Sequence, residues 1–260
     1  MSLDIGLSDR VVLITGGGSR IGLAVAERIA KLDAKVVVSD PDIEAAVAVA
    51  EKLSHAGGQV AAYPVDLTNA SSCSEIVSFT LQRFGSVSGL FNSAVDSRES
   101  ILGVDSRSDI LTIPSAVWNR TIDVTLTGSF NMTRAVVPAM LDANGGAIVY
   151  EGSASPFVGE PVRAAHAVAV AGVTALSRHV ASRWGKLGIQ SNCIAVGPLE
   201  GGSSMTDARG ADMEAWVQRS RSARRGSHTD AAGLVTFLLS KNGSYINGQV
   251  ISIDGGLTAR

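Results

Sequence analysis

Residues 11–22 read Val11-Val12-Leu13-Ile14-Thr15-Gly16-Gly17-Gly18-Ser19-Arg20-Ile21-Gly22. An unbroken apolar run predicts a strand covered on both faces. It breaks into a glycine-rich turn, and the amphipathic stretch Leu23 to Leu32 continues as a helix. Such a turn points backbone N–H groups and a helix N-terminus at one spot, which suits a pyrophosphate. A glycine pattern alone fits an empty tight turn equally well. The next apolar run argues for a ligand. Ala34 to Ser39 ends on Asp40, and an acidic residue roughly 20 positions past the glycines can accept hydrogen bonds from a ribose 2′-hydroxyl.

The same alternation continues to the end of the chain. Strands are expected at 10–15, 35–39, 59–64, 88–92, 147–151, 190–196 and 249–253, and helices near 21–32, 42–56, 70–84, 114–142, 161–187 and 229–240. Most of the strands are rich in Val, Ile or Leu without strict alternation. This is the signature of an α/β protein with a doubly wound parallel sheet of about seven strands and helices on both faces. The 260 residues suit one domain spanning 1–260. Ligands of such sheets bind beyond the carboxyl ends of the strands. Two long loops lie at that edge, 96–113 and 201–227. The second carries Arg219, Arg221, Arg224 and Arg225, which form either a solvated face or a clamp for an anionic substrate.

Several function classes fall away. A net charge of −2 carries no electrostatic footprint for nucleic acid. Cys73 and Cys193 sit inside apolar runs and read as free thiols of a reducing compartment. The four histidines are scattered and form no metal constellation. Asp4 and Asp9 stand where a signal peptide would be apolar, and no apolar run has the length of a membrane span. A cytoplasmic protein with no membrane or nucleic-acid partner is expected.

The ordered motifs resemble those of the short-chain dehydrogenase/reductase family over nearly the whole chain. Thr15-Gly16 to Gly22 resembles its TGxxxGxG turn. Asp66-Leu67-Thr68 resembles its adenine-contacting segment, and Asn92-Ser93-Ala94-Val95 its NNAG. Trp118 to Gly128 is similar to the fourth helix, and Ser153 holds the active-site serine position. Asn192 to Gly197 with Pro198 resembles its NAVAPG segment, and Asn247 to Val250, then Asp254 to Gly256, its C-terminal signature. The resemblance implies a Rossmann-type fold and a nicotinamide cofactor. That cofactor would be held by Thr15, Gly16, Ser19, Arg20, Ile21, Gly22, Asp40, Asp66, Leu67, Asn92, Ala94 and Pro198. Asp40 with Ser19 favours NAD over NADP, although Arg20 lies close to where a 2′-phosphate would sit.

The departures are as specific as the matches. Counting from Ser153, the family's catalytic Tyr and Lys positions fall on His166 and Val170, and the helix-four Asn position on Thr125. A phenol needs a neighbouring cation to work at neutral pH. An imidazole titrates near 6.5 unaided, so a His166/Val170 pair is chemically coherent as an acid–base site with Ser153 and Thr125. Against it stand the shorter reach of imidazole and the apolar setting of Ala167, Val168 and Val170. The expectation is an NAD-dependent oxidoreductase acting on an alcohol or carbonyl. The alternatives are a catalytically silent NAD-binding subunit or sensor, and a non-redox enzyme using the same pocket for elimination, cyclisation or isomerisation. Segments 114–142 and 161–187 are apolar around much of their circumference, which predicts a homo-oligomer, a tetramer or else a dimer.

Overall fold

The computed structural model describes residues 5–96, 98–200 and 217–259. Asp4 and residues 201–216 of the second long loop lie outside them. Seven strands form one parallel sheet in the order β3-β2-β1-β4-β5-β6-β7. They are β1 Val11–Thr15, β2 Lys35–Ser39, β3 Gln59–Ala62, β4 Gly89–Asn92, β5 Gly146–Ser153, β6 Ile189–Val196 and β7 Val250–Ile253. The expected third strand stops early for a local reason. Tyr63 N–H still donates to Val38 O, but Pro64 has no N–H to extend the ladder.

The helices are α1 Arg20–Ala30, α2 Ile43–His55, α3 Ala70–Phe84, α4 Ser115–Thr121, α5 Gly128–Asp142, α6 Ser155–Val158, α7 Ala164–Trp184 and α8 His228–Leu239. Side chains close their first turns. Ser19, Asp42 and Asn69 each accept from backbone N–H groups of α1, α2 and α3, and Ser227 with Asp230 makes a capping box on α8. Segment 114–142 is not one uniform helix, because a π-helical stretch, Ile122–Thr127, joins α4 to α5. Helix α7 starts at 164 rather than 161, because Arg163 takes the left-handed conformation at φ 67°. Its N–H donates to Asp105 O and Ser108 O.

The sheet separates two cores, one on each face. In β1, Val12 and Ile14 pack with Val25 and Ile29 of α1 and Val235 and Leu239 of α8. Leu13, between them, packs with Ile76 of α3, Val136 of α5 and Val173 of α7. A strand apolar at every position is therefore what a sheet covered on both faces requires. The strand order reverses between β1 and β4, and in open α/β sheets ligands bind at such a point, at the carboxyl edge.

Candidate active site

The glycine turn is built too tightly for side chains. Gly16 sits at φ 64°, and a Cβ on it would meet Ser93 O at 2.1 Å; one on Gly22 would meet Gly16 O at 2.2 Å. Ser19 Oγ accepts from Gly22 N–H at 3.0 Å. Asp40 closes the same turn, with Oδ2 accepting from Gly18 N–H at 3.0 Å and Oδ1 from Asp42 N–H at 3.1 Å. The N–H groups of Arg20 and Ile21 stay at the open end of α1 without a partner among the described residues. This arrangement fits a dinucleotide pyrophosphate, with Asp40 beside it for a ribose. Arg20 is exposed at the first position of α1. Its charge helps lower the pKa of His228 at the start of α8, after burial as the main cause.

Other expected cofactor residues play mainly internal parts. Thr15 Oγ1 donates to Asn92 Oδ1 at 3.1 Å and accepts from Ser93 N–H at 3.1 Å. Asn92 Nδ2 reaches Ser129 O on α5 at 3.5 Å. Both side chains are buried and lock β1 to β4, so only their backbone can line the crevice. Leu67 is buried, and its carbonyl accepts from Asn131 Nδ2. Asp66 is exposed and accepts from both the N–H and the hydroxyl of Thr68. Ala94 is buried. Pro198 lines a cavity of about 270 Å³ together with Ser220, Arg224, Asp230 and Asp254.

The expected reacting groups separate into two places. Thr125, in the π-helical stretch, and His166, on α7, line one small cavity with Val95, Asp96, Leu102 and Asp105. Its volume of about 10 Å³ is room for about one water. His166 is buried, and its pKa falls well below the usual imidazole range, first through burial and then through Arg163. It is neutral at neutral pH, which makes it a proton acceptor rather than a standing imidazolium. Val170 is buried one turn further along α7. Ser153 ends β5 outside that cavity, and its Oγ accepts from Ser155 N–H at 3.1 Å, closing the short helix α6.

Sequence reasoning missed two carboxyls here. Glu151 stands two residues before Ser153 on the same strand face. Ser93 Oγ donates to its Oε2 at 2.5 Å. Burial raises its pKa, against a smaller lowering by that hydroxyl. A charged residue breaking the apolar run of β5 at the ligand edge was the available signal. Asp105 is buried and caps α7 from loop 96–113. Nothing in its local sequence marks it.

Two of the arginines of the second loop, Arg221 and Arg224, are held by the protein itself. Arg224 pairs with both carboxylate oxygens of Asp230 at 2.7 Å. Arg221 donates to Gly256 O, and its own N–H to Gly255 O at 2.7 Å. Both arginines fasten the 217–227 segment to the end of the chain and to α8.

Comparison with known proteins agrees with this architecture. The profile described as enoyl-(acyl carrier protein) reductase matches residues 17–258. The chain is 33% identical over 258 residues to 2-(S)-hydroxypropyl-CoM dehydrogenase 3 of Xanthobacter autotrophicus, covering 97% of this chain and 98% of that one. It is 32% identical to the cyclohexanol dehydrogenase of an Acinetobacter species, covering 97% and 96%. The crystal structure of levodione reductase superimposes with a TM-score of 0.89 at 29% identity, covering 97% of this chain and 99% of that one. The chain belongs to the short-chain dehydrogenase/reductase family, oxidoreductases of alcohol, carbonyl or acyl substrates.

Proposed function

We propose that the protein is an NAD(H)-dependent oxidoreductase acting on a small alcohol or carbonyl, with an altered proton-transfer site. The observation that carries this reading is the intact cofactor turn. Gly16 and Gly22 are sterically required, α1 is open at its N-terminus, and Asp40 lies beside it. A nicotinamide dinucleotide, when bound, supplies the hydride acceptor or donor. Asp40 supports NAD over NADP, because a carboxylate accepts from ribose hydroxyls and repels a 2′-phosphate. Arg20, exposed at the first position of α1, favours the reverse.

At the reacting end, Ser153 offers a hydroxyl to polarise a substrate oxygen. His166 offers a neutral imidazole to accept a proton, and Thr125 lies beside it. The buried Val170 cannot supply the cation that a phenol would need. We also propose a homotetramer, with a dimer as the smaller alternative. Phe130 on α5 and Val168 on α7 are exposed, at 45% and 48%, and belong to the two segments that carry more apolar surface than one sheet face covers.

The test is calorimetric titration with NAD(H) and NADP(H), followed by oxidation and reduction of a panel of secondary alcohols and ketones. Tighter binding of NAD(H) and any stoichiometric conversion of nicotinamide support the reading. Binding of neither dinucleotide overturns it.

A further inference from the structure

Glu151 is a carboxyl group at the carboxyl edge of a parallel sheet, and among the described residues no cation is bonded to it. Its carboxyl accepts from the Ser93 hydroxyl at 2.5 Å, and Ser93 is the residue whose carbonyl packs against Gly16 of the glycine turn. Glu151 therefore touches the turn through a single residue. Its place along the sheet says which part of a dinucleotide it meets. The ligand straddles the point where strand order reverses, one mononucleotide on each side. Asp40 and Asp66 follow β2 and β3 and belong to the adenosine side. Glu151 and Ser153 lie on β5, on the nicotinamide side.

Hydride transfer changes the charge of that side. The oxidised ring is a cation and the reduced ring is neutral. A poorly solvated carboxyl resists ionising alone, and a cation beside it reverses the preference. We propose that Glu151 discriminates between the two oxidation states of the nicotinamide cofactor, ionising against the oxidised ring with release of one proton to solvent and keeping that proton beside the reduced ring. This rests on the dinucleotide reading above. The elements packed against β5 carry Cys193 on β6, Arg134 and Asp142 on α5, His166, Arg178, His179 and Arg183 on α7, and His228 and Asp230 on α8. Among these, Cys193 feels the Glu151 charge as a minor addition to its own burial, and its thiol is pushed up to about 11. Burial raises the Glu151 carboxyl itself, while Ser93 pulls it down less strongly.

The test needs no substrate. Dissociation constants for the oxidised and reduced forms of whichever couple binds tighter, NAD or NADP, are measured by calorimetry from pH 5 to 8. Because ligand and proton binding are reciprocally linked, the oxidised form should tighten relative to the reduced form as pH rises. The gain is roughly tenfold for each unit by which the ring lowers the carboxyl pKa. Titrations in two buffers of different ionisation enthalpy should show proton release with the oxidised form alone. Glu151→Gln keeps the size of the side chain and an acceptor for Ser93, and should flatten both effects. Ser93→Ala removes a bond that favours the ionised form and should move the transition to higher pH. A wild-type ratio independent of pH, or a pH-dependent ratio unchanged in Glu151→Gln, overturns the inference while leaving the cofactor reading intact. Failure to bind either form overturns both.

Discussion

The carboxylate of Asp105 accepts a hydrogen bond from the backbone N–H of His166, 3.2 Å away and 61 residues later in the chain. The first turn of α7 has no side-chain cap of its own, since Arg163 precedes it in the left-handed conformation. Loop 96–113 therefore caps the helix that carries His166 and Val170. Replacing Asp105 with Ala should cost about 1–2 kcal/mol, seen as a fall in Tm of roughly 2–4 °C per kcal/mol. Burial raises the Asp105 pKa against the lowering by the His166 N–H and by Arg163. Its charge is thus a cost at neutral pH, and Asp105→Asn, which keeps an acceptor, should lose much less than Asp105→Ala. Equal losses in the two variants would show that the cap does not act through its acceptor oxygen.

Acid should loosen the same loop at a second point. Asp96 pairs with Arg98 at 2.5 Å and with Arg120 at 2.8 Å. Burial alone would raise its pKa, but hydrogen bonds from the two arginines together outweigh it and hold the group down to about 2. A depressed carboxylate contributes stability above its unfolded pKa and loses it as pH falls through the folded one. The contribution, on the order of 2 kcal/mol, should therefore vanish between about pH 4 and pH 2. Arg120→Ala should shrink that acid-sensitive part, measured by urea unfolding at pH 7 and pH 3. An unchanged difference between the two pH values would remove Asp96 from the account.

His166→Ala should abolish turnover if imidazole is the proton acceptor. Val170→Ala should leave turnover largely intact while costing about 1–3 kcal/mol for the buried methyl groups lost. The pH profile is the sharper measurement. An unperturbed imidazole would place an activity limb near pH 6.5. Burial and Arg163 lower this one, so activity that depends on the neutral ring should stay level through neutral pH and fall only on the acid side. A His166→Ala variant with unchanged rate and profile would dismiss His166 from the chemistry.

Simple secondary alcohols should turn over slowly. The proton donor position lacks both phenol and ammonium groups, and losing a positioned acid–base group costs on the order of 10²–10⁴ in rate. The triple change His166→Tyr, Val170→Lys and Thr125→Asn should raise turnover if the site is merely degenerate. A decrease would show that the present residues serve a chemistry of their own.

Association should depend on the exposed face of α7. Light scattering at micromolar concentration should report a multiple of the chain mass, and Val168→Asp should reduce it by burying a charge in an apolar contact. One chain's mass in the unaltered protein would refute the tetramer and the dimer alike.

Local sequence determined the elements of this protein because their causes are local. Apolar runs at β1 and β2, the caps at Ser19, Asp42 and Asn69, and the close approach of Gly22 to Gly16 depend on near neighbours or on burial on two faces. For that reason the strands and the glycine turn were legible before any contact was known, although β3 ends at Ala62 and β5 runs on to Ser153. Three things depended on residues far apart in the chain. The hydrogen bonds joining Thr15 to Asn92 and Asn92 to Ser129 tie β1 to β4 and β4 to α5. Loop 96–113, by folding onto α7, buried His166 and lowered its pKa, an electrostatic outcome that no spacing encodes. The register of β5 against β4 set Glu151 beside Ser93. Sequence marks which residues can carry protons; desolvation and partners, which exist only in the tertiary structure, decide which of them hold a proton at neutral pH.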